Sequence, residues 1–134
     1  MNLFDRTMVL LSRALDFRSA RHEVIASNIA NADTPGYVGV DLVFEEALKK
    51  ASLESRGEGF ARTHPKHLPA GLSPRSVVGR IEPTGNAFIG MDRNSVNVEQ
   101  EMVRLAENTL LYEAAIQMLT QKLRGLKEAI REGR

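Results

Sequence analysis

Cysteine and tryptophan are both missing from this 134-residue chain, so neither disulfides nor thiol chemistry can hold it together or drive a reaction. Phenylalanine and tyrosine together make up only 5% of it, too little for a large aromatic core. A marked excess of charge of one sign is missing too. Eighteen basic side chains stand against 17 acidic ones, spread without blocks, so no footprint for nucleic acid or an anionic membrane surface is drawn. No apolar run approaches the ~20 residues of a membrane span, and Asp5, Arg6 and Arg13 interrupt the N-terminus where a cleavable secretory signal would be apolar.

Catalytic constellations are equally scarce. His64 and His67, with His22 as a third candidate, could ligate a metal, but their neighbours are basic and no carboxylate sits at ligand spacing. A polar loop is the plainer reading. The glycines near 85–90 lack a phosphate-loop context, and Ser12, Ser19 and Ser27 lack a nucleophile elbow. Glu45/Glu46 and Glu99/Glu101 are expected on solvent faces of helices. No catalytic residue, cofactor, metal or small-molecule substrate is therefore expected, and the chain is not read as an enzyme.

What is present is periodicity. From Val98 to Ile130 the residues Met102, Leu105, Thr109, Tyr112, Ile116, Leu119, Leu123, Leu126 and Ile130 recur at three-then-four spacing. Sustained over about four heptads, this predicts a coiled-coil helix roughly 50 Å long, capped by Asn97 with Gln100 three residues on. Val103, Leu110, Leu111, Ala114, Ala115 and Met118 widen its apolar face beyond a two-stranded seam, which calls for neighbours on more than one side. A second helix is expected over 3–32, carrying Phe4, Met8, Leu11, Leu15, His22, Ile25 and Ile29, with Arg18 in a seam position. The polar interruption from Arg18 to Glu23 either fixes register or faces solvent.

That helix leads into Ala26–Tyr37. Asn28 and Asn31 lie on neighbouring parts of one face, and Pro35-Gly36 suits the centre of a type II turn. Val38, Val40 and Leu42 then read as extended, and 44–50 as a short helix with Phe44 and Leu48 in contact. Six of the ten glycines and four of the five prolines fall in 51–95, which reads as a flexible insert with a short hairpin near 76–90. The expected fold is all-α. Long N- and C-terminal helices (within 1–50 and 96–134) pair as a coiled-coil-like bundle, one structural domain made by both ends around a partly disordered insert.

Arg18-Ser-Ala-Arg21 followed by Ala26-Ser-Asn-Ile-Ala-Asn-Ala-Asp-Thr-Pro-Gly-Tyr37 closely resembles the N-terminal signature of the flagellar basal-body rod and hook protein family. Asn94-Ser-Val-Asn-Val-Glu-Gln-Glu-Met102 and Ala106-Glu-Asn-Thr-Leu-Leu-Tyr-Glu-Ala-Ala115 resemble its closing helix. The short length resembles the proximal rod members. The resemblance implies a structural subunit, exported by the flagellar type III apparatus without a cleaved signal. It implies assembly with other copies and other rod proteins into a tube beside the membrane ring and export gate. It carries over the signature, with Arg18, Arg21, Ile25, Asn28, Ile29, Asn31, Asp33, Thr34, Pro35, Gly36 and Tyr37, as a helix end and turn shaping subunit contacts, and Phe4, Met8, Leu11 and Leu15 of the first heptad row are expected at the same interface. To these it adds Met102, Leu105, Tyr112, Ile116, Leu119, Leu123, Leu126 and Ile130 of the closing seam. Arg18 and Arg21 are expected to pair across subunits. The alternative is a helical adaptor or signalling module that forms a discrete homodimer through the same heptads.

Overall fold

The computed structural model describes residues 6–49, 78–84 and 92–132. Two long helices carry the fold: α1 (Arg6–Ala30) and α2 (Val98–Glu132). They run antiparallel, as shown by Met8 beside Leu119 and Leu123, Asn108 beside Arg18, and Asn28 beside Glu101. At 1.5 Å per residue, 35 residues make α2 about 52 Å long. Asn97 caps it as the sequence predicts, its Oδ1 accepting from the Gln100 N–H at 3.2 Å.

A two-stranded antiparallel sheet lies against α1. Strand β1 (Val40–Val43) pairs with β2 (Arg80–Pro83) in the register Val40↔Pro83 to Val43↔Arg80. Within the 76–90 stretch where a hairpin is expected, 80–83 takes β1 as its neighbour, while 76–77 and 85–90 lie outside the described residues. Proline has no N–H, so Pro83 ends the ladder, and the Thr84 N–H and hydroxyl both donate to the Gly39 carbonyl instead. Residues 45–49 form the expected short helical turn, with Leu48 N–H bonded to the Phe44 carbonyl at 3.0 Å. The chain is mainly helical, with this small sheet as its one addition to the expected class among the described residues. Of the expected insert at 51–95, only 78–84 and 92–95 are described, and His64, His67 and Phe4 lie outside the described residues.

The apolar core is small: Met8, Ile25, Leu42, Phe44, Val96 and Ala115. Phe44 stacks on Phe17 with centroids 4.9 Å apart, and the Arg18 guanidinium lies 4.9 Å over the same ring. Gly79 packs closely here: a Cβ would stand 3.0 Å from side-chain atoms of Leu42 and Phe17, which would have to give way slightly. Five buried polar residues accompany this core: Asn28, Asn94, Ser95, Glu101 and Asn108. Buried polar groups are stable only when hydrogen-bonded, so their partners define the molecule's specific chemistry.

Candidate functional site

The five polar residues bring the two sequence motifs together. Helix α1 stops at Ala30 because Pro35 lies just ahead and the intervening residues turn. Gly36 takes φ +72°, the left-handed value a type II turn demands at its third position, and Tyr37 N–H closes the turn on the Thr34 carbonyl. The helix end leaves carbonyls without intrahelical donors. Asn94 supplies them: its Nδ2 donates to the carbonyls of Asn31, Ala32 and Thr34 at 2.8–3.0 Å, while its Oδ1 accepts from Val96 N–H. Backbone bonds from Gly36 to Asp92 and from Ser95 to Tyr37 lock the same crossing.

One helical turn away, Asn28 is fully buried and all its capacity is used. Its Nδ2 donates to the Val40 carbonyl at 2.7 Å and to Glu101 Oε2 at 3.0 Å, and its Oδ1 accepts from Val40 N–H and the Tyr37 hydroxyl. Glu101, expected on a solvent face, is instead 1% exposed. Arg104, three residues on, donates to its other oxygen at 2.6 Å, so the buried carboxylate is paired and hydrogen-bonded. Gly39 makes room between these groups. Its N–H donates to Ser95 Oγ, and a Cβ there would stand 3.1 Å from Thr84 Oγ1 and 3.3 Å from Val96 Cγ2. Further along, Asn108 Nδ2 donates to the Arg18 carbonyl at 2.8 Å.

Arg18 and Arg21, expected to reach across subunits, are engaged within their own chain. Arg21 grips Asp41 with two bonds of 2.8 and 2.6 Å and reaches Glu45 at 2.9 Å. That hydrogen bonding to Asp41 raises the Arg21 pKa, whereas burial lowers that of Arg18, which lies 3.4 Å from Glu45. Both remain cationic at physiological pH. The fork geometry matters as much as the charge. Arg21→Lys should cost about 1–2 kcal/mol, read as a lower urea midpoint with an unchanged m-value, because an ammonium cannot bind both Asp41 oxygens in plane.

The seam expected in α2 is displaced by one position. Leu105, Tyr112, Leu119 and Leu126 do lie along α1, half-buried. Their companions are Glu101, Asn108, Ala115 and Lys122, not Met102, Thr109, Ile116, Leu123 and Ile130. The last set sits at the edge of the contact and is largely exposed: Met102 is 59% exposed, Leu123, beside Met8, 49% and Ile130 58%. Leu110, Leu111 and Met118 are exposed on the other flank. On α1, Met8 and Ile25 are buried, Leu11, Leu15 and Ile29 are half-buried, and His22 is exposed. Asp33, Thr34, Pro35 and Gly36 form the exposed tip of the crossing, while Asn31 folds back to the Ser27 carbonyl. The partners that sequence reasoning missed are Asp41, Phe44, Glu45, Asn94, Glu101 and Asn108. The seven-residue spacing of Glu101, Asn108 and Ala115 was the available signal.

No group of His, Asp or Glu able to hold a metal occurs among the described residues. Polar chemistry is spent inside, tying two helices together, while apolar surface faces out. That is the design of a building block. The comparisons agree. Residues 10–37 match the family described as flagella basal body rod protein. The chain is 35% identical to the flagellar basal body rod protein FlgB of Aeromonas hydrophila, covering 96% of this chain and 95% of that one. It is 30% identical to FlgB of Salmonella typhimurium, with 99% of each covered, and 33% identical to FlgB of Aquifex aeolicus, with 98% and 97% covered. The chain belongs to the flagellar basal body rod protein family. It is a structural component of the basal body rod rather than an enzyme, and it assembles with other rod and basal body components.

Proposed function

We propose that this chain is a subunit of the proximal rod, joining copies of itself and other rod proteins through α1 and α2 into a helical tube that transmits torque. The observation that carries this reading is the large apolar surface left on α2 after α1 has docked, with Leu110 67% exposed and Met118 57%. Several large apolar side chains left exposed on one helix mark a protein contact. The polar crossing contributes stiffness, since it holds the helix pair in one register while neighbours pull on it. The membrane ring and the export gate are proposed as neighbours at the base, and the flagellar type III apparatus as the route, on the strength of the signature at 18–37. The expected interface residues that are buried inside the chain, Ile25 and Asn28, act by shaping this unit. Arg18 and Arg21 do the same by fastening the arm that carries Asp41 and Glu45.

Leu110→Glu combined with Met118→Glu tests the proposal. Both sites are solvent-facing, so stability should stay within about 0.5 kcal/mol of the parent. Burying the new carboxylates at a contact should weaken docking at least 100-fold. The expected result is a normally folded chain that is absent from purified basal bodies, in non-swimming cells. Full swimming by the double variant would refute the reading.

A further inference from the structure

Sulfur occurs in this chain only as thioether. With no cysteine, the five methionines are its most readily oxidised groups, and Met8, Met102 and Met118 lie among the described residues. Their environments differ sharply. Met8 is buried in the core at 6% exposure, whereas Met102 and Met118 stand out from α2 at 59% and 57%. At 3.6 residues per turn, positions 102 and 118 fall roughly 160° apart around α2, so they mark different flanks of the helix. The other large apolar side chains exposed on α2 are valine, leucine and isoleucine, whose hydrocarbon has no sulfur to oxidise.

We infer that Met102 and Met118 make assembly of this chain sensitive to peroxide: sulfoxide at these positions bars a free copy from docking, and docking shields the same sulfurs. This rests on the rod-subunit reading above. The step is an oxygen transfer. The thioether sulfur attacks one oxygen of hydrogen peroxide, and the O–O bond breaks as the S–O bond forms. Sulfur gives up two electrons, and the second oxygen leaves as water after taking the proton of the first. The product is a strongly polar sulfoxide on a side chain that was apolar. In the free chain its oxygen is hydrated. At an apolar contact it loses that water with no donor opposite, which opposes docking. Because both flanks of α2 are marked, a neighbour meets one sulfoxide on either side. Neither residue belongs to the core, so the oxidised chain keeps its own fold. Methionine sulfoxide reductases, one for each epimer, return the sulfur to thioether, which makes the block reversible.

Purified chain treated with hydrogen peroxide and mapped by mass spectrometry should gain sulfoxide at Met102 and Met118 well before Met8, with an unchanged urea midpoint. Oxidation of Met8 at the same rate, or unfolding once 102 and 118 are modified, would overturn the inference. The second measurement uses cells lacking methionine sulfoxide reductases. Newly made chain is isotope-labelled during a peroxide dose that modifies part of the free pool, catalase ends the dose, and assembly continues. Labelled chain recovered in basal bodies should carry at least about tenfold less sulfoxide at Met102 and Met118 than labelled chain left free. Basal bodies purified first and then given peroxide should resist modification at both positions. Equal sulfoxide in the docked and free pools would overturn the inference while the rod reading stands. Absence of the chain from basal bodies of untreated cells would overturn the rod reading itself and the inference with it.

Discussion

Asn28→Ala should lower the unfolding free energy by about 3–5 kcal/mol, read as a fall in urea midpoint. The side chain is fully buried and satisfies both the N–H and the C=O of Val40, the Tyr37 hydroxyl and one oxygen of Glu101. Alanine removes all four bonds at once. A buried backbone group left without a partner costs about 1–3 kcal/mol, and a charged one more. Because a domain holds only ~5–15 kcal/mol in reserve, this variant should lie near its unfolding threshold. Asn28→Asp separates size from donor chemistry. It keeps the shape and the acceptors but replaces the amide, 3.0 Å from Glu101, with a second carboxylate. Two carboxylates that close cannot both ionise, so one pKa in the variant rises. Its destabilisation should be fullest at neutral pH and ease as pH falls through that raised value, where a protonated oxygen can donate again. A flat pH dependence would contradict this account.

The second large effect is expected at Asn94. Asn94→Ala removes the donor to three carbonyls at the end of α1 together with the acceptor for Val96 N–H, and should cost about 2–4 kcal/mol. Asn94→Asp should be no better, because a carboxylate cannot donate to carbonyls and would face three of them. Hydrogen exchange locates the loss: amides of 34–37 and 94–96 should lose protection more than those in the middle of α2. Uniform loss across both helices would mean that the crossing is not a local clamp.

Much of this was legible from residues. The two long helices, the Asn97 cap, the Pro35-Gly36 turn and the extended piece near Val40 all follow from local rules whose partners are close in sequence. The α2 seam was not, for a physical reason. Hydrophobicity selects Met102, Ile116 and Leu123 over Glu101, Asn108 and Ala115. Yet α1 brings Asn28 and the Arg18 carbonyl to that face, and those groups need polar counterparts. Half the rule was right, since Leu105, Tyr112, Leu119 and Leu126 belong to both stripes. Glu101 was misplaced because its burial depends on Arg104 and Asn28 acting together, one local and one 73 residues away. Arg21 illustrates the same limit, as nothing in its neighbourhood along the chain announces Asp41 and Glu45 as its acceptors.

The small sheet has an architectural consequence. Residues 43 and 80 end as neighbours across one antiparallel pair, about 5 Å apart. The excursion between them leaves and re-enters the sheet at that one pair, with Phe44 and Glu45 held on α1 by Phe17, Arg18 and Arg21. A folded module with adjacent termini could be spliced into that excursion without altering the helix pair, so such a chain could gain a bulky outer decoration and keep its mechanical foundation.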